Sequence, residues 1–195
     1  MPSNKLAQNA IAVSGSLKSL DPIFTLEIGR YYPHLSLYMF ELKVESIPKI
    51  EEILQKLAQN TNKVNVSATK FYLDEVANLG YIDAEYDVTN DMKNLQDQVV
   101  ASVNPLRAGL RERDKAKIAD AEGLVLKNLQ DYGYVAVGKL FRPHVTLTRF
   151  KKHTPEVLDM LPSINTFEGS FLKIGLFEMG NNGTCIRQIA TYDLQ

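Results

Sequence analysis

The sequence predicts an α+β fold built on antiparallel sheet. Three observations carry that prediction. Two hairpin signals stand at residues 64–88 and 171–192, helical periodicity is confined to the segments between strands, and no Gly-rich strand-to-helix turn of the nucleotide-binding α/β kind is present. A doubly wound parallel sheet is thereby disfavoured.

Taken in order, residues 10–13 read as a short strand, and residues 23–28 (IFTLEI) fit a second strand or a short helix equally well. Residues 34–42 (HLSLYMFEL), aromatic and aliphatic with interspersed polar residues, predict a strand. Pro48 opens a helix with Ile50, Ile53, Leu54 and Leu57 on one face, closed by Asn60, Thr61 and Asn62. Residues 64–73 and 81–88 alternate as the strands of a hairpin, with Asn78, Leu79 and Gly80 at the turn. Thr89, Asn90 and Asp91 offer N-caps for a helix through Met92, Leu95, Val99 and Val103, which Pro105 ends or bends.

Residues 106–131 are charged and helical in character. Their cluster of Arg107, Arg111, Arg113, Lys115 and Lys117 reads as a solvated face in preference to a phosphate clamp. Gly133 and Gly138 then break the chain before a strand from His144 to Phe150, and Pro155 opens a helix ending at Leu161. Residues 171–179 and 184–192 form a terminal hairpin about Gly180-Asn181-Asn182-Gly183.

The chain's 195 residues suit one domain, or two small lobes sharing a core. Hydrophobic residues at 45% and charged residues at 23% exclude a disordered or fibrous class. With 22 basic against 23 acidic residues there is no overall positive field to hold long nucleic acid, but a small phosphorylated ligand is compatible. Cys185 is the only cysteine, so no internal disulfide forms. Neither a signal peptide nor a membrane-spanning run is legible, and a cytoplasmic monomer without cofactor is the expectation.

Function is carried by a repeat. YYPHLSLYMF (residues 31–40) and FRPHVTLTRF (residues 141–150) share Pro-His-apolar-hydroxyl-Leu, and they use two of the chain's three histidines. In a strand, His34, Ser36 and Tyr38 share one face, and His144, Thr146 and Thr148 do likewise. Each copy thus displays a histidine and a hydroxyl about 7 Å apart, with its aliphatic side free for the core. The preceding proline lacks an amide donor and favours a strand start or edge.

The copies lie 110 positions apart, which suits an internal duplication whose halves line one cleft about a pseudo-twofold axis. Two facing histidines suit a reaction that removes a proton at one end and delivers one at the other, with hydroxyls holding phosphate oxygens between them. A covalent Ser or Thr nucleophile is less attractive, because neither motif contains an acid to orient its ring. Either copy alone reads as an ordinary strand; the repetition reverses that.

PHLSL and PHVTL resemble the paired His-x-Thr/Ser signatures of the two-histidine (2H) phosphoesterase superfamily, closest to its 2′-5′ RNA ligase-like and RNA 2′,3′-cyclic phosphodiesterase branch. The resemblance implies a bilobal α+β domain spanning residues 1–195, with two antiparallel sheets and flanking helices around a central cleft. It implies metal-independent chemistry on 2′,3′-cyclic phosphate RNA ends or related 2′,5′ and nucleotide phosphodiesters. His34 and His144 would be the acid/base pair, and Ser36 and Thr146 the phosphate-binding hydroxyls. In hydrolysis His144 would activate water and His34 protonate the leaving oxygen, with the roles exchanged in ligation. Arg149, five residues after the second histidine, would be a further phosphate ligand, provided that a bulge or the strand's end brings it to the His144 face. Tyr38 is a possible base-stacking residue. Tyr31, Tyr32, Phe141 and Arg142 flank the histidines as a rim.

Two other classes compete. A non-catalytic module of the same fold would bind nucleotide or RNA ends without turnover. A metal site would use His34 and His144, with or without His153, and a carboxylate, but HExxH and clustered Cys/His spacings are absent; His153 reads as a surface or capping residue.

Overall fold

A computed structural model describes residues 1–73, 80–152 and 154–195. Asn78 and Leu79 of the expected hairpin turn, and His153, lie outside the described residues.

The N-terminal segment corrects the first expectation: residues 10–13 belong to helix α1 (Asn4–Ser16), not to a strand. Ser3 caps it, its hydroxyl accepting from the Leu6 amide, and Leu6, Ala10 and Ser14 make a buried stripe at four-residue spacing. The apolar run at 10–13 is too short to show that period alone. Next comes β1 (Phe24–Thr25), followed by an extended stretch and then helix α2 (Ile47–Gln59), with Pro48 in its first turn.

The expected strand over residues 64–73 divides at Ser67 into β2 (Val64–Val66) and β3 (Ala68–Leu73), which enter different sheets. β4 (Tyr81–Tyr86) follows, then α3 (Asn90–Val103), capped by the Thr89 hydroxyl. Residues 106–131 contain the short helix α4 (Glu112–Lys115) and most of α5 (Gly123–Tyr132), which Gly133 ends at φ +67°. β5 (His144–Arg149), β6 (Gly169–Phe171), β7 (Lys173–Met179) and β8 (Cys185–Asp193) complete the order. The helix expected from Pro155 is a 3-10 segment, Pro155–Met160.

The architecture is α+β with antiparallel ladders. A four-stranded sheet runs β1-β5-β4-β3, and β2-β6 and β7-β8 are two-stranded. Two sheets were expected; three ladders form because residues 34–42 do not join one. That segment bends at Leu37 and bridges only at Leu35, to Val145, and at Leu42, to Arg107. Its carbonyls bond elsewhere: Leu37 accepts from the Gln96 side chain at 3.1 Å, and Glu41 accepts from the Ala108 amide at 2.8 Å.

α1 and the 3-10 turn at Ile164–Phe167 cover one face of the four-stranded sheet, while α2 packs on α3 and on β7 and β8. One hydrophobic cluster runs through both packings, from Leu6 and Leu147 to Ile50 and Leu176. The uncovered face of the four-stranded sheet is where the polar residues of β4 and β5 collect. Among the described residues no helix is long and apolar enough to cross a membrane.

Candidate active site

β5 is the scaffold of the site. Its Val145 and Leu147 are buried in the core, while His144 and Thr146 stand half-buried on the opposite face. Across β4 the pairs are Glu85 with His144, Asp83 with Thr146, then Ile82 with Thr148 and Tyr81 with Arg149. Leu147 has no partner in this register, which makes it the extra residue of a β-bulge. Two consecutive buried residues, Leu147 and Thr148, mark the same break in alternation. The bulge returns Arg149 to the side of Thr146 and His144, which is the condition its site role requires. One side of the sheet therefore presents His144, Thr146 and Arg149 beside Glu85, Asp83 and Tyr81, with Lys70 and Tyr72 next on β3.

The first motif lies beside the N-terminal half of β5, along the edge whose C-terminal end pairs with β1. The bridge between Leu35 and Val145 is antiparallel, so extending its register by one residue each way sets His34 beside Thr146 and Ser36 beside His144. The two Pro-His segments thus run in opposite directions past one another.

The two rings are held alike. His34 Nδ1 lies 2.8 Å from the Tyr32 carbonyl and His144 Nδ1 lies 2.7 Å from the Arg142 carbonyl, in each case two residues back across the proline. A carbonyl can only accept, so each Nδ1 carries the hydrogen and each neutral ring keeps its lone pair on Nε2. Burial lowers the pKa of His34; the tie to the Tyr32 carbonyl opposes this, and the charge of the nearby His144 adds to it.

Asp83, only 2% exposed, stands against the second motif. Its Oδ1 accepts from Thr146 Oγ1 at 2.7 Å, its Oδ2 accepts from Arg142 Nη2 at 2.6 Å, and Oδ2 is 3.9 Å from His144 Nε2. Arg142 also donates to Glu85 at 3.2 Å and stacks over Tyr72, 4.6 Å from the ring centroid. Thr146 has one hydroxyl hydrogen, and Asp83 receives it. Donation to a phosphate oxygen requires that hydroxyl to rotate away.

The neighbouring turn completes the site's edge. Arg149 donates to the Asn182 side chain and lies over Tyr81, 4.8 Å from its centroid. Gly183, the next residue, is close enough to His34 for its backbone to favour the protonated ring. His34, Ser36, Gly183 and Cys185 stand among the residues lining a mainly apolar cavity of about 150 Å³ that runs between residues 34–42 and β7. Burial pushes the Cys185 thiol up to about 12, so it stays protonated.

Tyr38 lines the same cavity, with its hydroxyl held at the far end. Its single hydroxyl hydrogen is shared between Asn104 Oδ1 at 2.8 Å and the Tyr132 carbonyl at 2.6 Å, and its ring stacks on Phe40 with centroids 5.0 Å apart. That ring packs between residues 34–42 and the helical region. The basic cluster of residues 106–131 is likewise engaged internally: Arg111 is buried against Asp114 and Tyr134, and Arg107 bonds Asn104. Among the described residues no group of three or more His, Cys, Asp or Glu could hold a metal ion.

Asp83, Glu85 and the Asn182–Gly183 turn are additions to the residues legible from the motifs. A carboxylate does stand near a motif histidine, but it comes from another strand and faces Nε2, while backbone carbonyls hold both Nδ1 atoms. The alternation D-x-E in YIDAEYDV placed both carboxylates on one face; only the β4–β5 register places that face at His144.

A family model described as "Protein of unknown function (DUF1045)" matches residues 40–166. The chain belongs to the DUF1045 family. The DUF1045 match takes in Asp83, His144 and Thr146 and begins after His34 and Ser36, and its description assigns no activity. No match was found among curated proteins.

Proposed function

We propose that this DUF1045 chain is a metal-independent phosphodiesterase of the two-histidine kind, acting on 2′,3′-cyclic phosphate RNA ends or related 2′,5′ and nucleotide phosphodiesters. The observation that carries the reading is the matched tethering of His34 and His144, each Nδ1–H on the carbonyl two residues back, in segments bridged antiparallel at Leu35 and Val145. That bridge also supports a pseudo-twofold relation between two halves around a cleft.

In hydrolysis, one Nε2 takes a proton from water as the water oxygen bonds to phosphorus, and the other Nε2 gives a proton to the oxygen whose P–O bond breaks. The lowered pKa of His34 keeps it neutral near pH 7 and suits it to accept, which leaves donation to His144. This reverses the order that the resemblance implies. Ser36 and Arg149 are the hydroxyl and cation for the phosphate's nonbridging oxygens, with Thr146 joining them once it turns from Asp83.

The test is turnover of a nucleoside 2′,3′-cyclic phosphate and a 2′,5′-linked dinucleotide in excess chelator. Wild type should hydrolyse at least one of them, and His34→Ala or His144→Ala should each lower kcat by about 10²–10⁴. Tight binding without conversion would make the chain a binding module; turnover untouched by either substitution would remove the mechanism.

A further inference from the structure

A buried carboxylate is an odd neighbour for a phosphate site, and its position sets which phosphate esters can enter. We propose that Asp83 restricts the site to singly charged phosphodiesters and expels the doubly charged monoester that hydrolysis creates. The inference rests on the phosphodiesterase reading and names its substrate class by charge.

The geometry is direct. An oxygen accepting from Thr146 at an ordinary 2.7–2.9 Å cannot be farther than about 5.6 Å from Asp83 Oδ1, because Oγ1 is itself 2.7 Å from that oxygen. Asp83 is 2% exposed, so little water screens it. Its bonded partner does not cancel it: Arg142 bonds Asp83 at 2.6 Å but also bonds Glu85 at 3.2 Å, so one guanidinium serves two carboxylates, and Lys70, opposite Glu85 on β3, is exposed to water.

The charged and titratable groups on this side are His144 and Arg149 from β5, Asp83, Glu85 and Tyr81 from β4, Arg142 preceding β5, His34 from the segment beside β5, and Lys70 and Tyr72 from β3, with Tyr72 beneath Arg142. A diester brings one negative charge, which Arg149 and the proton-donating His144 can offset. A monoester brings a second, at the same short range from Asp83.

The consequence follows the reaction. Water adds its oxygen to phosphorus, one ring P–O bond breaks, and the proton taken from water is balanced by the one delivered to the leaving oxygen. The product is a monoester whose second ionisation falls near pH 6, so it is a dianion above neutrality. Repulsion by Asp83 then favours release, and monoesters compete poorly with substrate. An added charge at such a distance, discounted for Arg142, corresponds to about tenfold in affinity.

The test compares a nucleoside 3′-monophosphate with its methyl ester, titrated calorimetrically into wild type and Asp83→Asn at pH 5 and pH 8. Histidine protonation acts on both esters, so their affinity ratio isolates the second charge. In wild type at pH 8 the methyl ester should bind about tenfold or more tightly, falling to about threefold or less at pH 5. Asp83→Asn, which keeps an acceptor for Thr146, should bring the pH 8 ratio close to one. Monophosphate binding as well as the ester at pH 8 in wild type overturns the proposal, as does an unchanged ratio in the variant. Should Asp83→Asn not fold, the wild-type ratios decide alone. Equal binding of both esters leaves the phosphodiesterase reading standing; binding of neither removes that reading and the charge filter together.

Discussion

Leu147 links the core to the site, and replacing it with alanine tests the bulge that orients β5. The residue is 0% exposed and is the unpartnered residue of the β4–β5 register. Leu147→Ala removes the equivalent of three methylene-sized groups, about 2.4 kcal/mol of transfer free energy at about 0.8 kcal/mol each. A cavity that the surrounding sheet and α1 cannot collapse adds about 1 kcal/mol or more. The expected loss is about 3–4 kcal/mol, which lowers Tm by about 10 °C in a domain of this size. Urea and thermal melts read it, with Leu158→Ala, at a position 38% exposed, as a control expected to stay near wild type. Because Leu147 faces the core, the folded variant should bind substrate as wild type does. A loss below about 1 kcal/mol would refute the buried bulge, and with it the argument that brings Arg149 to the His144 side.

Two further outcomes follow from the same structure. His34 has a folded pKa below its unfolded value of 6.5 because burial disfavours the cation, so the unfolded chain binds more protons in the interval between the two. Stability present above pH 6.5 is therefore lost as pH falls through the folded pKa, and His34→Gln should remove that part of the loss; melts at pH 7.5 and 5 would contradict this if wild type gained stability on acidification relative to the variant. Tyr38→Phe deletes the hydroxyl bonded to Asn104 and to the Tyr132 carbonyl, and should cost about 1–2 kcal/mol in a urea melt, whereas an unchanged midpoint would detach Tyr38 from that packing.

What the sequence revealed follows the reach of each signal. The terminal hairpin, α2 and α3 were legible because turn residues, caps and apolar period coincide within each segment. α1 was missed because its stripe of Leu6, Ala10 and Ser14 is made of small and polar residues as much as apolar ones. Residues 34–42 have strand composition but no ladder, since a side chain from α3 and a loop amide take the carbonyls of Leu37 and Glu41. At the site, the repeat identified both histidines and both hydroxyls from their common frame. Asp83 and Glu85 stayed hidden because their placement depends on which residue of β5 they face, and the Leu147 bulge sets that register across sixty positions of sequence. Tyr38 lines the cavity with His34, and what alternation could not show is the tie of its hydroxyl to Asn104 and Tyr132.

The most direct test of the central claim, that His34 and His144 converge on one phosphate, is imidazole nitrogen NMR of the folded protein during titration with a non-hydrolysed phosphodiester. Both neutral rings should report Nδ1–H, and both Nε2 signals should move together along one binding curve. Response of a single ring, or hydrogen on Nε2 in the neutral form of either, would contradict it.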